Sequence, residues 1–276
     1  MARHASLSSS SARAVQAGLL AAVTGLTLVG SVTASQEPAL QYPDLRPLAP
    51  EIVLVDFLPI EGVTHYLLRF DATIWNTGQG PLELHGESAA DHRAVQRIYD
   101  AAGGFKEEPV SGGFTFFESH QHWHFENFAE YQLWPKDEFD DWLASGRQQG
   151  EPRWQGSKTT GQDESFCIRD SEPVKSVARS PVAPVYSVCD QDLQGISVGW
   201  GDTYPFTIPE QWIDLGLSDL PDGLYVLRIV ADPEQILDQG SRDDVAPYAN
   251  EALTVFQRLP LETEVLPNPY APAPQQ

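Results

Sequence analysis

Residues 116–128 read FFESHQHWHFENF and bring three of the chain's seven histidines, His120, His122 and His124, within five positions. Side chains at i, i+2 and i+4 of an extended strand point to one face, while Gln121 and Trp123 point to the other. Three imidazoles on one face predict a single bound metal ion with coordination positions left open for chemistry. Imidazole suits copper, zinc, iron and nickel alike, so the ligand type alone does not name the metal.

Strand-like runs lie on either side of this stretch. EIVLVDF, HYLLRFDATIW, PLELH, VQRIYD, AEYQLW, SFCIRD, GISVGW, GLYVLRIVAD and ALTVFQ read as strands, with GFTFFESHQHWHF as one further extended run. Roughly ten strands with little helical pattern predict an all-β, sandwich-like domain with long loops. One short helix is expected from Pro135 to Gly146: Pro135 opens it, acids follow in the first turn, and Phe139, Trp142 and Leu143 share a face. IPEQWIDLG reads as another helical turn. The polar run RQQGEPRWQGSKTTGQDE reads as a surface loop.

Residues 1–34 hold Arg3 and Arg13 and no acid, then the apolar run AGLLAAVTGLTLVG and small residues, the pattern of a secretory signal peptide. That run is shorter than the ~20 residues of a membrane-spanning helix, so an exported chain without stable membrane insertion is expected, placed in the periplasm, at the cell surface or outside the cell. Residues 35–43 read as a linker, 44–258 as one folded domain and 259–276 as a Pro-rich disordered tail. The formal net charge is −22, which argues against nucleic acid as a partner and is compatible with cationic substrates or simply with solubility. In an exported chain the two cysteines, Cys167 and Cys189, are expected to form a disulfide; the alternative is two buried thiols.

The motifs exclude some familiar metal chemistry. No H-E-x-x-H occurs, and Phe125 and Glu126 follow His124 where an H-x-H-x-D-H run would need Asp and His. A cupin-like H-x-H strand stays open, without a convincing Glu and distant His to complete it.

Taken in order, SHQHWHFENFAEYQLW, SFCIRD, CDQDLQGISVGWGDTYPFTIPEQWIDL and LPDGLYVLRIVADP resemble the catalytic domain of the lysyl oxidase family, in particular its bacterial members, from about Asp44 to Phe256. The resemblance implies a secreted copper amine oxidase that converts primary amines, including lysine ε-amines of proteins, to aldehydes with O2, releasing H2O2 and ammonia. It implies copper on His120, His122 and His124, with Ser119 where animal members carry cysteine. It implies that Tyr204, the last residue of GWGDTY, is oxidised and joined to a lysine as lysine tyrosylquinone. Cys189 matches a family cysteine. A carboxylate is needed to take the substrate α-proton, and Asp202 is the candidate.

The family's cofactor lysine lies four residues before the cysteine of SFC, where this chain has Asp163. Lys158, nine residues before Cys167, takes that place if the loop carries a five-residue insertion. Without it, Tyr204 forms a related quinone with no cross-link, or the chain is a non-enzymatic copper-binding protein. The resemblance also implies a calcium site at Asp44, Leu45, Asn250 and Glu251, with Asp238, Asp243 or Asp244 as further oxygen donors.

Overall fold

The strands seen in the sequence arrange into four antiparallel sheets. The computed structural model describes residues 38–87, 93–118, 120–157, 167–240 and 250–271. In chain order the strands are β1 (Leu40–Gln41), β2 (Leu45–Pro47), β3 (Val53–Ile60), β4 (Val63–Phe70), β5 (Ala72–Asn76), β6 (Leu82–Gly86), β7 (Arg93–Asp100), β8 (Phe105–Phe117), β9 (His122–Phe125) and β10 (Ala129–Pro135). Helix α1 (Lys136–Ala144) follows, then β11 (Trp154–Ser157), β12 (Glu172–Pro173), β13 (Gln194–Ile196), β14 (Trp200–Tyr204), β15 (Trp212–Gly216), β16 (Gly223–Ala231), β17 (Glu251–Arg258) and β18 (Thr263–Leu266). One sheet runs β13-β6-β7-β8-β9, with β1 added on β7; a second runs β11-β10-β16-β17-β18. The third is β12-β14-β5-β2 and the fourth β15-β4-β3.

All four sheets feed one core. Leu82, Leu84, Phe114 and Phe125 from the first meet Tyr131, Leu133, Leu227 and Ile229 from the second, Leu45 and Ile74 from the third, and Leu68, Phe70 and Ile213 from the fourth. Phe70 packs edge-on against Tyr131 with ring centroids 4.8 Å apart. Burying an aromatic of this kind contributes roughly 2–3 kcal/mol, so the sheets hold one another in place. A second cluster seats α1 through Phe139 on Trp134, Val226 and Val255. The helix starts after Pro135 and closes with Gly146 at φ 70°, as its sequence predicts.

Several sequence expectations are corrected. The run 113–125 is a hairpin, not one strand: Gln121 at φ 57° reverses the chain and its N–H donates to the Phe117 carbonyl at 2.7 Å. Residues 40–41 are not linker but pair with Tyr99 and Asp100, and residues 263–266 pair with β17, so the Pro-rich tail begins with a strand. The loop from Arg147 contains β11, which pairs with β10. The described part of SFCIRD, residues 167–170, carries no strand. IPEQWIDLG is a turn running into β15 rather than a helical turn.

Candidate metal centre

The hairpin β8–β9 builds the histidine cluster from its end. His122 and His124 sit on one face of β9, opposite Phe117 and Thr115 of β8, and His120 reaches in from the turn. The ring centroids lie 5.4 Å (His120–His122), 5.1 Å (His120–His124) and 4.7 Å (His122–His124) apart. One nitrogen from each falls within 4.8 Å of the others, and Nδ1 of His120 is 3.3 Å from Nε2 of His124. Phe117 stacks on the fully buried His124 at 4.4 Å and fixes its ring. Burial, then the neighbouring His120, lowers the pKa of His122, which favours the neutral imidazole a metal requires.

Among the described residues, this is the one group of three or more His, Cys, Asp or Glu side chains placed to share a metal ion. Nitrogens bound to one ion at about 2 Å are separated by roughly 3–4 Å, so the three rings fit with little movement.

β14 carries the second part. Asp202 and Tyr204 are two residues apart on one strand face, and Asp202 is 2% exposed. Burial raises the Tyr204 phenol well above its ordinary value, and the Asp202 charge raises it further. The Tyr204 hydroxyl donates to the Cys167 carbonyl, and Ser171 Oγ donates to Asp202 at 3.2 Å. Arg169 bears electrostatically on both halves, lowering the pKa of Tyr204 and of His122 against or alongside those larger effects.

Cys167 and Cys189 form the expected disulfide, with Cα atoms 5.3 Å apart. The Cys189 carbonyl accepts the Trp123 N–H at 2.9 Å, between two of the histidines. The disulfide therefore joins the backbone that holds Tyr204 to the backbone that holds the histidine strand. Gln194, fully buried, makes a parallel link. Its Oε1 accepts the Ile168 N–H at 2.9 Å and its Nε2 donates to the Trp123 carbonyl at 2.9 Å.

Asp170, 5% exposed, accepts N–H donors from Val185, Tyr186 and Ser197 and shapes the loop between the cysteines. Tyr186 pins that loop to β6 by donating to Glu83 at 2.7 Å. Gln194, Arg169 and Asp170 escape sequence reasoning because each is an ordinary polar residue whose partners are brought to it only by the fold.

Lys158, Ser119, Asp163, Asp243 and Asp244 lie outside the described residues, as do residues 1–37. Among the described lysines, Lys106 pairs with Asp238 at 3.2 Å and Lys136 with Asp140 at 2.6 Å.

The residues expected at the calcium site make contacts within the protein. Asp44 accepts from Arg46 at 2.9 Å and from Thr77 at 2.6 Å, and the Leu45 N–H donates to Gln239. The Asn250 carbonyl accepts the Ala231 N–H. The Glu251 carboxylate is ion-paired with Arg147 at 2.6 Å and Arg228 at 2.7 Å.

The lysyl oxidase family model matches residues 152–246, a span that contains both cysteines, Asp202 and Tyr204 and lies after the three histidines. Lysyl oxidase homolog 2B of Danio rerio is 27% identical over 169 residues, 60% of this chain and 16% of that protein. Lysyl oxidase homolog 4 of Mus musculus is 27% identical over 171 residues, again 60% and 16%. Lysyl oxidase homolog 3 of Homo sapiens is 36% identical over 73 residues, 26% of this chain and 9% of that protein. The chain thus spans less than a fifth of the length of these relatives. No helix among the described residues is long and apolar enough to cross a membrane.

Proposed function

Since the chain belongs to the lysyl oxidase family, we propose that it is an exported, copper-dependent amine oxidase with a quinone cofactor derived from Tyr204. The overall reaction is RCH2NH2 + O2 + H2O → RCHO + NH3 + H2O2. The observation that carries this reading is the coupling of two sites through one disulfide: the histidine cluster on one side, and Tyr204 with Asp202 on the other.

His120, His122 and His124 would hold the copper. Bound there, copper supplies one-electron chemistry with O2 that the chain's own side chains lack. The residues around it have separate tasks. Cys167 holds the Tyr204 hydroxyl in one orientation through its carbonyl. Asp202, buried on the same strand face, is the base for the substrate α-proton. The Arg169 charge offsets part of the burden that burial and Asp202 place on an ionised Tyr204.

Lys158 is the proposed cross-linking lysine. Two of the other three lysines outside the leader segment are committed to ion pairs, and Lys158 is next in sequence after β11, nine residues before Cys167. The acidic surface suits amine substrates, whether free amines or lysines of proteins.

The test is amine-dependent release of H2O2 by protein loaded with Cu2+ under O2. Tyr204→Phe should abolish turnover while keeping copper, and His122→Ala should lose the copper, with His65→Ala as a control that keeps it. Copper binding without turnover on any primary amine would leave a copper-binding protein and sink the enzyme.

A further inference from the structure

Among the described residues, a carboxylate from outside β8 and β9 touches the histidine cluster. Glu210 Oε2 lies 3.1 Å from Nε2 of His120, and the two residues are 90 positions apart in sequence. The opposite ring nitrogen of His120, Nδ1, is the one turned to Nε2 of His124. An imidazole presents one lone pair when neutral, so an acceptor for the Nε2–H leaves the Nδ1 lone pair facing the cluster.

The turn that carries Glu210 is held from several sides. Arg69 donates to the carbonyls of Phe206 at 3.1 Å and Ile208 at 3.4 Å, and Asp71 accepts the Phe206 N–H at 2.9 Å. Gln211, fully buried, donates to the Phe70 carbonyl at 3.3 Å, and Arg69 lies over the Trp212 ring at 4.8 Å. Within this anchored turn Glu210 has φ 63°, a left-handed conformation uncommon for a residue with a side chain. The fold thus holds Glu210 in an uncommon backbone state with its carboxylate against one particular ring. The pair is partly solvent-exposed, with side chains 20% and 33% accessible, so as an ion pair it does little for stability.

We propose that Glu210 is a positioning residue for the metal centre: its carboxylate accepts a hydrogen bond from Nε2–H of His120, fixing the ring's orientation and tautomer so that Nδ1 serves as the ligand atom. Carboxylates that receive the second N–H of a ligating histidine act in this way at metal sites generally, and their loss weakens metal binding by roughly 10–100-fold. The inference rests on the reading of the three histidines as a copper site.

The experiment is a competition titration of the metal-free full chain with Cu2+ against a chelator of known affinity, for wild type, Glu210→Ala, Glu210→Gln, His120→Ala and the Glu210→Ala/His120→Ala double variant. Glu210→Ala should weaken Cu2+ binding roughly 10–100-fold without lowering the melting temperature of the metal-free protein. Glu210→Gln, whose amide oxygen still accepts a hydrogen bond from Nε2–H, should recover most of that loss. In the His120→Ala background the second substitution should add nothing, because the effect passes through that ring. The proposal is overturned if Glu210→Ala binds Cu2+ like wild type, if Glu210→Gln is as weak as the alanine variant, or if the loss persists without His120. A wild-type chain that binds no Cu2+, or a His122→Ala variant that binds it undiminished, would instead bring down the copper reading itself.

Discussion

The hydroxyl of Tyr204 donates to the main-chain carbonyl of Cys167, and the disulfide partner of that cysteine, Cys189, accepts the N–H of Trp123 between His122 and His124. A covalent bond thereby links the backbone around the tyrosine to the strand that carries the histidines. The linkage makes the disulfide part of the site's architecture, with consequences for both stability and metal binding.

Replacing both cysteines by serine should cost about 3 kcal/mol of unfolding free energy, the chain-entropy value for a loop of this size. The separation in sequence is 22 residues. Chemical denaturation of oxidised and variant protein measures it. Cu2+ affinity should fall in the same variant, because the Cys189 carbonyl no longer has a fixed place beneath Trp123. Unchanged stability and unchanged affinity would show that the disulfide is incidental.

Asp202→Asn should lower the pKa of Tyr204. Burial is the main cause of the raised value and stays, but the second cause, the negative charge of Asp202, is removed, so the phenolate becomes easier to form. A difference ultraviolet titration between wild type and variant reads the direction. If Asp202 is also the base, the variant should lose about 10²–10⁴-fold in kcat/KM for a primary amine.

Glu251 predicts an acid limit to stability. Burial alone would raise its pKa, yet hydrogen bonds and charges from Arg147 and Arg228 hold it below the ordinary value of 4.5. A depressed folded-state pKa gives stability that is complete above the unfolded value and is lost as pH falls through the folded one. Unfolding free energy should therefore drop below about pH 4.5, and Glu251→Gln should flatten that part of the curve. At pH 7 the same substitution should cost roughly 3 kcal/mol by leaving two partly buried arginines without their partner.

Gly199, the first residue of GWGDTY and five positions before Tyr204, should not tolerate a side chain. Its φ is 81°, and an added Cβ would run into the Lys175 carbonyl and the Ser180 hydroxyl. Gly199→Ala should destabilise by more than the ~1–2 kcal/mol of the left-handed conformation alone, because backbone must also move. Thermal unfolding checks it, and a variant as stable as wild type would contradict the local geometry.

Much of this arrangement is legible in the sequence because it is local. Dense runs of apolar residues mark β10, β16 and β17 nearly to their ends, since both faces of each strand are largely buried. The helix is marked by Pro135 and Gly146, and the disulfide by there being two cysteines in the chain. The histidine triplet marks a group that could hold a metal ion, although alternation alone makes one strand of what is a hairpin. The reversal at Gln121 depends on a left-handed residue that carries no glycine signal. Strand β11 is hidden because Trp154 is its single large apolar residue and its identity comes from pairing with β10. The Glu210–His120 contact and the Gln194 link join segments far apart in the chain, and no local pattern encodes such a meeting.

The central claim is that Tyr204 becomes a quinone beside copper held by three histidines. The most direct measurement is peptide mass mapping of the metal-free protein before and after loading with Cu2+ under O2. The account predicts that the peptide carrying Tyr204 gains one oxygen and loses two hydrogens, or appears joined to the peptide carrying Lys158, and that His122→Ala prevents the change. A Tyr204 peptide of unaltered mass, in protein that has bound Cu2+ through the histidines, would contradict it.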